Sequence, residues 1–230
     1  MESIKEVNEM EIDVRGDIIG NDDKWIYDWL EWDSTCPNDI KNALQTMPTG
    51  DKLIVNVNSG GGSVMAGQEI YSLLHGRQDV EIHIQSLAGS AASVIAMANT
   101  CKMSPVATIM IHNVSMSGAS GDYHDMQKNA EILKTMNSAL AEAYVAKTGK
   151  TKDEILKMMD KETWLTGQEA VDAGLVDAIS EGRLVASGPG TLPPEVIERI
   201  KNEIKNPFQA KSARTAQAKL DFLKLKGATK

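Results

Sequence analysis

Three short stretches carry side chains whose types and spacing could do chemistry. Residues 58–62 read Asn-Ser-Gly-Gly-Gly and follow the apolar run Leu53-Ile54-Val55. Consecutive glycines let the backbone take positive φ, approach a ligand closely and aim several N–H groups at one point. No Gly-Lys-Ser/Thr follows, which argues against a phosphate loop; a plain sharp turn would also account for the glycines. Residues 89–98 read Gly-Ser-Ala-Ala-Ser-Val-Ile-Ala-Met-Ala. Ser93 is read here as lying where a strand hands over to a helix, with the Val94 N–H free to hold an oxyanion. Ala91 and Ile95 stand where the glycines of a Gly-x-Ser-x-Gly elbow would be, and small residues at a helix start also serve close packing. His112 ends the apolar run Ile109-Met110-Ile111, whereas His75, His83 and His124 have no comparable surroundings. A serine hydroxyl is a poor nucleophile until an adjacent base takes its proton, and imidazole titrates in the useful range. Each feature has a purely structural reading alone; together they describe a nucleophile, a base and an anion hole.

Elements must exist to bring them together. Met10, Ile12 and Val14 alternate with Glu11 and Asp13 as in a half-buried strand. Trp25, Trp29 and Leu30 lie at helical spacing, and Asp39 is placed to cap a short helix before Pro48. The apolar runs 52–58, 80–84 and 107–111 predict strands, with helices from Ser63 and over 94–98 between them. Strand, tight loop and helix in repetition imply an α/β fold with a largely parallel sheet. A long helix is predicted over 123–147, ended by Gly149, then another opened by Thr151. A short helix is expected from the segment beginning at Trp164 up to Gly174, before a strand-like Leu175-Val176-Asp177.

The domain is expected to cover residues 1–181. Residues 182–230 are expected to form a linker rich in glycine and proline, then a basic segment that is either frayed or becomes helical on a partner. A chain of 230 residues, 42% hydrophobic, can bury one substantial core. Its formal charge of −8 argues against a nucleic-acid partner. No apolar stretch is long enough to span a membrane and no secretory leader is visible, so a cytoplasmic location is expected. Cys36 and Cys101 lack metal-type spacing and read as free thiols.

In this order the motifs resemble the ClpP family of serine peptidases. The matching pieces are Asn58-Ser59-Gly60-Gly61-Gly62 with Ala66-Gly67, Ala91-Ala92-Ser93, Met110-Ile111-His112, and residues 166–177 from Thr-Gly-Gln-Glu-Ala-Val to Gly-Leu-Val-Asp. The resemblance covers residues 11–179. The run 89–98 and Glu162-Thr163-Trp164-Leu165-Thr166 look most like the phage and prophage head-maturation branch. It implies a ClpP/crotonase-like core of repeated ββα units with a protruding handle helix. Ser93 becomes the nucleophile, His112 the base, and the backbone N–H groups of Gly62 (or Gly61) and Val94 the oxyanion donors. Glu162 falls where the family has its aspartate, with Asp160 the fallback and a solvated charge run the plain alternative. Ser93 and His112 are closer in sequence than their counterparts in housekeeping members.

The resemblance further implies a homo-oligomeric ring, with Ile132, Leu133, Met136, Leu140 and Tyr144 available to bury against a neighbour. The substrate would be a protein, such as a capsid or scaffold protein, lying extended beside residues 60–62. No metal or other cofactor is implied. The sequence has no clear counterpart to the pore loops or clefts that seat an unfoldase, and so gives no ground for an ATPase partner. Other classes fit the same fold: a housekeeping ClpP subunit that does work with an ATPase, a crotonase-type acyl-CoA enzyme, or a non-catalytic capsid assembly factor.

Overall fold

Alternating side chains make a strand of the first described segment. In the computed structural model, which describes residues 8–180, β1 (Glu9–Ile18) turns Met10, Ile12 and Val14 inward and Glu9, Glu11 and Asp13 outward. A single 3-10 turn (Asn21–Asp23) and α1 (Lys24–Leu30) lead to the two-residue β2 (Ser34–Thr35) and to α2 (Pro37–Thr46). Asp39, expected to cap α2, instead lies inside its first turn, where its carboxylate accepts the Cys36 N–H at 2.9 Å.

The next units carry the site. They are β3 (Lys52–Gly62), α3 (Val64–Leu74), β4 (Val80–Gly89), α4 (Ala91–Ala96), β5 (Cys101–Met103) and β6 (Thr108–Ile111). They are followed by α5 (Tyr123–Thr148), α6 (Lys152–Asp160), β7 (Thr163–Thr166), α7 (Gly167–Asp172) and β8 (Ala178–Ile179). The sheet runs β2-β1-β3-β4-β5-β8, all parallel, and the predicted α/β class with a long separate helix is observed. β4 forks: Ile82–Ile84 pair with β5, while Leu87–Gly89 pair with β6, which in turn pairs antiparallel with β7. In that fork Gly89 stands beside Met110. The residues that follow each strand are thereby set close together.

Several boundaries differ from the sequence expectation. β3 continues through the glycines to Gly62, and β4 continues to Gly89 rather than stopping at Ile84. α4 begins at Ala91, three residues before Val94. Thr163–Thr166 form a strand before the last helix, because β6 offers them an edge to pair with. The strand after Gly174 starts at Ala178, one residue past the predicted run.

The core lies on one face of the sheet. Val14, Leu53, Val55, Val57, Ile82 and Ile84 are buried there, and all six residues of α4 are buried beside them. Small residues are needed because α3 and α4 nearly touch: a Cβ on Gly67 would stand 3.0 Å from Ala91 Cβ. The opposite face is polar. Asn56 Nδ2 donates to Glu11 at 2.9 Å, and Glu81 meets Lys102 and His83 at 2.6 Å each. Burial alone would raise the Glu81 pKa, but the Lys102 and His83 contacts overcome it and hold the carboxyl at about 2.

α5 has 26 residues, about 39 Å at 1.5 Å per residue. Asp122 caps its start through the His124 and Asp125 N–H groups, and Gly149 ends it at φ 69°. Only its far end is buried, at Leu140, Ala141, Ala143 and Tyr144. Tyr123, Met126 and Ile132 stay exposed in the subunit. Residues 182–230, expected to form linker and basic segment, lie outside the described residues.

Candidate active site

Gly89 ends β4 and Ala91 opens α4, which leaves Ser90 alone on the corner. Its backbone has φ 52° and ψ −122°, a conformation that costs an L-residue on the order of 1–3 kcal/mol and persists only where neighbours enforce it. They do. The Ser90 N–H donates to Met110 O at 3.0 Å, and the Ser90 carbonyl accepts from Ser93 N (3.0 Å), Val94 N (3.3 Å) and Ser93 Oγ (2.7 Å). β3 clasps the corner from the other side. A Cβ on Gly61 would lie 2.7 Å from Ser90 Cβ and 3.0 Å from Ala91 N, so only glycine lets the strand come this close. Ser59 shapes that strand end: its Oγ donates to Gly16 O at 2.6 Å and accepts the Gly61 N–H at 3.1 Å.

His112 is the first residue after β6. Its Nε2 lies 2.7 Å from Ser90 Oγ. With the imidazole proton on Nδ1, the Ser90 hydroxyl donates to Nε2, the arrangement in which a base can withdraw that proton.

The structure therefore pairs His112 with Ser90, and not with Ser93 as expected. Ser93 sits one turn into α4 with no exposed surface, its hydroxyl engaged by Ser90 O and Tyr144 Oη. The cause is the early start of α4, which moves the strand-to-helix corner back by three residues. The same shift changes the surroundings of the Val94 N–H. The Val94 N–H bonds within the helix to Ser90 O, whereas the Ala91 N–H, at the first helical position, has no acceptor inside α4. The Gly61 N–H is taken by Ser59. Gly62 lies beside β1: it is in register with Ile18, and the next residue's N–H, that of Ser63, donates to Ile18 O at 2.7 Å. The last β3–β4 pair is Ser59 with Ala88, and no β4 carbonyl is set opposite Gly62. Gly62, Ser90, Ala91 and His112 line one cavity of about 50 Å³, with Val64, Val94, Leu140 and Tyr144 as its apolar side.

Neither candidate carboxylate reaches the imidazole. Glu162, at φ 48°, accepts the Trp164 Nε1–H at 3.2 Å and faces solvent. Asp160 accepts from Asn113 Nδ2 at 2.7 Å, one residue along from His112. The expected Glu162–His112 bond is absent among the described residues because a left-handed turn at Glu162 directs that carboxylate to Trp164 instead. Ser90 and Ala91 are the residues that sequence reasoning passed over. Their signal was Gly89-Ser90 followed by two alanines, a breaker and then helix formers.

The two cysteines are free and buried, and burial pushes the Cys101 thiol up to about 12, so it offers no thiolate nucleophile. Among the described residues no cluster of His, Cys, Asp and Glu is arranged to hold a metal ion, and no helix is long and apolar enough to cross a membrane.

A serine hydroxyl on a strained corner and an imidazole in contact with it, in a cavity that Gly62 and Ala91 also line, suit acyl transfer. The family model described as Clp protease matches residues 33–183. The chain belongs to the Clp protease family. It is 34% identical over 164 residues to the ATP-dependent Clp protease proteolytic subunit 1 of Leifsonia xyli subsp. xyli, covering 68% of this chain and 83% of that protein. The proteins of the same name from Chlamydia abortus and Protochlamydia amoebophila are 33% and 34% identical over 142 residues. Those matches cover 59% of this chain and 73% and 68% of the relatives. The chain is a ClpP-like serine-type peptidase. These relatives are named as proteolytic subunits and lend no support to the head-maturation branch expected from the 89–98 run.

Proposed function

We propose that this chain hydrolyses peptide bonds through an acyl-enzyme as a proteolytic subunit of the ClpP type, with Ser90 as nucleophile and His112 as base, then acid. The observation that carries this reading is the 2.7 Å contact between Ser90 Oγ and His112 Nε2 on a corner that exposes the hydroxyl to the cavity. Ser90 attacks the scissile carbonyl, His112 Nε2 takes the proton and returns it to the leaving amine, and water repeats the sequence to release the acid. The developing oxyanion lies between the N–H groups of Gly62 and Ala91. A substrate strand would run beside Gly60–Gly62, where β3 has lost its β4 partner, and gain main-chain hydrogen bonds there.

Neither Glu162 nor Asp160 is needed for this chemistry as the site stands. The Ser90–His112 pair acts as a dyad, and Asp160 contributes through Asn113 to the placement of the loop after β6. The exposed Tyr123, Met126 and Ile132 on α5 support burial against another copy of the chain in a ring. The relatives are named as ATP-dependent, which favours the alternative of a subunit coupled to an ATPase over capsid maturation.

The test is kinetic. Ser90→Ala should lower turnover of a fluorogenic peptide by at least about 10³-fold, leaving the residual rate that binding and the oxyanion hole supply. Parental turnover in Ser90→Ala would end the proposal.

A further inference from the structure

We propose that Ser93 and Tyr144 are positioning residues that aim the Ala91 N–H into the oxyanion hole by holding the other end of its peptide group. The inference rests on Ser90 as nucleophile. Ser93 Oγ donates to Ser90 O at 2.7 Å and lies 2.7 Å from Tyr144 Oη, both side chains being essentially without exposed surface. A serine hydroxyl has one proton. Given to the Ser90 carbonyl, it leaves the Tyr144 O–H as donor to Ser93 Oγ, so a directed chain runs from Tyr144 through Ser93 to Ser90 C=O. Burial raises the Tyr144 pKa far above its ordinary value, against the lowering effect of the Ser93 contact, so the phenol remains a donor across the working pH range.

The Ser90 carbonyl and the Ala91 N–H belong to one planar peptide group. Fixing the oxygen fixes where the N–H points, and a hydrogen bond at the oxygen strengthens the N–H as a donor. Backbone bonds from Ser93 N and Val94 N also reach that carbonyl, but a helix start supplies those whatever its side chains. The hydroxyl contact is what this sequence adds. Alanine and phenylalanine at these two buried positions would avoid burying two polar groups. Ser90 also has an uncommon backbone conformation that needs outside support.

The experiment compares Ser93→Ala, Tyr144→Phe and the double variant in the full chain, with Ser90→Ala alongside. Measured are kcat and KM on a fluorogenic peptide, inhibition by a peptide boronate that mimics the tetrahedral intermediate, and Tm. Ser93→Ala should lower kcat about tenfold, weaken the boronate by a similar factor and leave KM within about twofold, because the oxyanion hole acts on the transition state. It should also lower Tm, since the Tyr144 hydroxyl loses its partner. The double variant removes both hydroxyls, so Tm should recover while kcat stays low. If kcat recovers together with Tm, the pair only satisfies buried hydroxyls and the inference is overturned. Parental kcat in Ser93→Ala, with Ser90→Ala inactive, overturns it while leaving Ser90 as nucleophile. Retained turnover in Ser90→Ala, or loss in Ser93→Ala as deep as in an inactive Ser90→Ala, overturns the reading of Ser90 and the inference with it.

Discussion

Replacing Gly61 by alanine presses a methyl group against the Ser90 corner. The added carbon would lie 2.7 Å from Ser90 Cβ, 2.8 Å from Gly89 O and 3.0 Å from Ala91 N, and none of these is the end of a flexible side chain. Ordinary carbon contacts are about 3.5–4.0 Å, so β3 and the corner must part by roughly 1 Å. Gly61 also has φ +105°, which costs an L-residue about 1–3 kcal/mol, and overpacking adds about 1–3 kcal/mol. The destabilisation is then about 2–6 kcal/mol, a Tm loss of at least roughly 4 °C for a domain of this size. If Ser90 is the nucleophile, displacing it by about 1 Å lowers turnover on the order of 100-fold. Gly60→Ala is the control, because a Cβ there meets nothing within 4 Å. The assay is kcat on a fluorogenic peptide together with a thermal melt for both variants. If Gly61→Ala matches Gly60→Ala in turnover and Tm, the close approach of β3 to Ser90 is not what builds the site.

Other expectations follow from the same geometry. Asp160→Asn and Glu162→Gln should each keep turnover within about tenfold of the parent, since neither carboxylate touches His112; a loss near the 10⁴-fold known for a triad aspartate would show that a triad forms during catalysis. The Glu81 carboxyl has its folded pKa depressed to about 2, so its contribution is full above the unfolded value and disappears as pH falls from about 4.5 through 2. That contribution is at most about 3 kcal/mol, reduced by solvent around half-exposed Lys52 and Lys102. Glu81→Gln should flatten the fall of Tm over that pH window, and an unchanged slope would remove the carboxyl as its source. Ile132→Glu on the exposed stretch of α5 should shift light scattering toward smaller species, whereas an unaltered mass would exclude that face from assembly.

Fold and site were legible in the sequence to different depths. Alternation in residues 10–14 and the apolar runs at 52–58, 80–84 and 107–111 mark strands because burial on a sheet needs them, and these strands are present. His112 was legible for the same reason, as the polar residue ending an apolar strand. The serine that meets His112 was not. Ser90 and Ser93 flank two alanines, and only the first residue with helical dihedrals decides which serine lies on the corner. That boundary depends on β4 extending to Gly89 to pair with β6, a long-range contact that local periodicity does not encode. Likewise Val94 lies inside the helix, where its N–H bonds to Ser90 O, and the Ala91 N–H is left at the first helical position. Glu162 matched a family position by alignment, but its backbone conformation, set by the α6–β7 turn, directs the carboxylate elsewhere.

The most direct measurement is covalent: treat the full chain with a fluorophosphonate and locate the adduct by peptide mass spectrometry. Stoichiometric phosphonylation of Ser90, abolished in His112→Ala, is the predicted result. An adduct on Ser93, or on neither serine while peptide turnover persists, would contradict it.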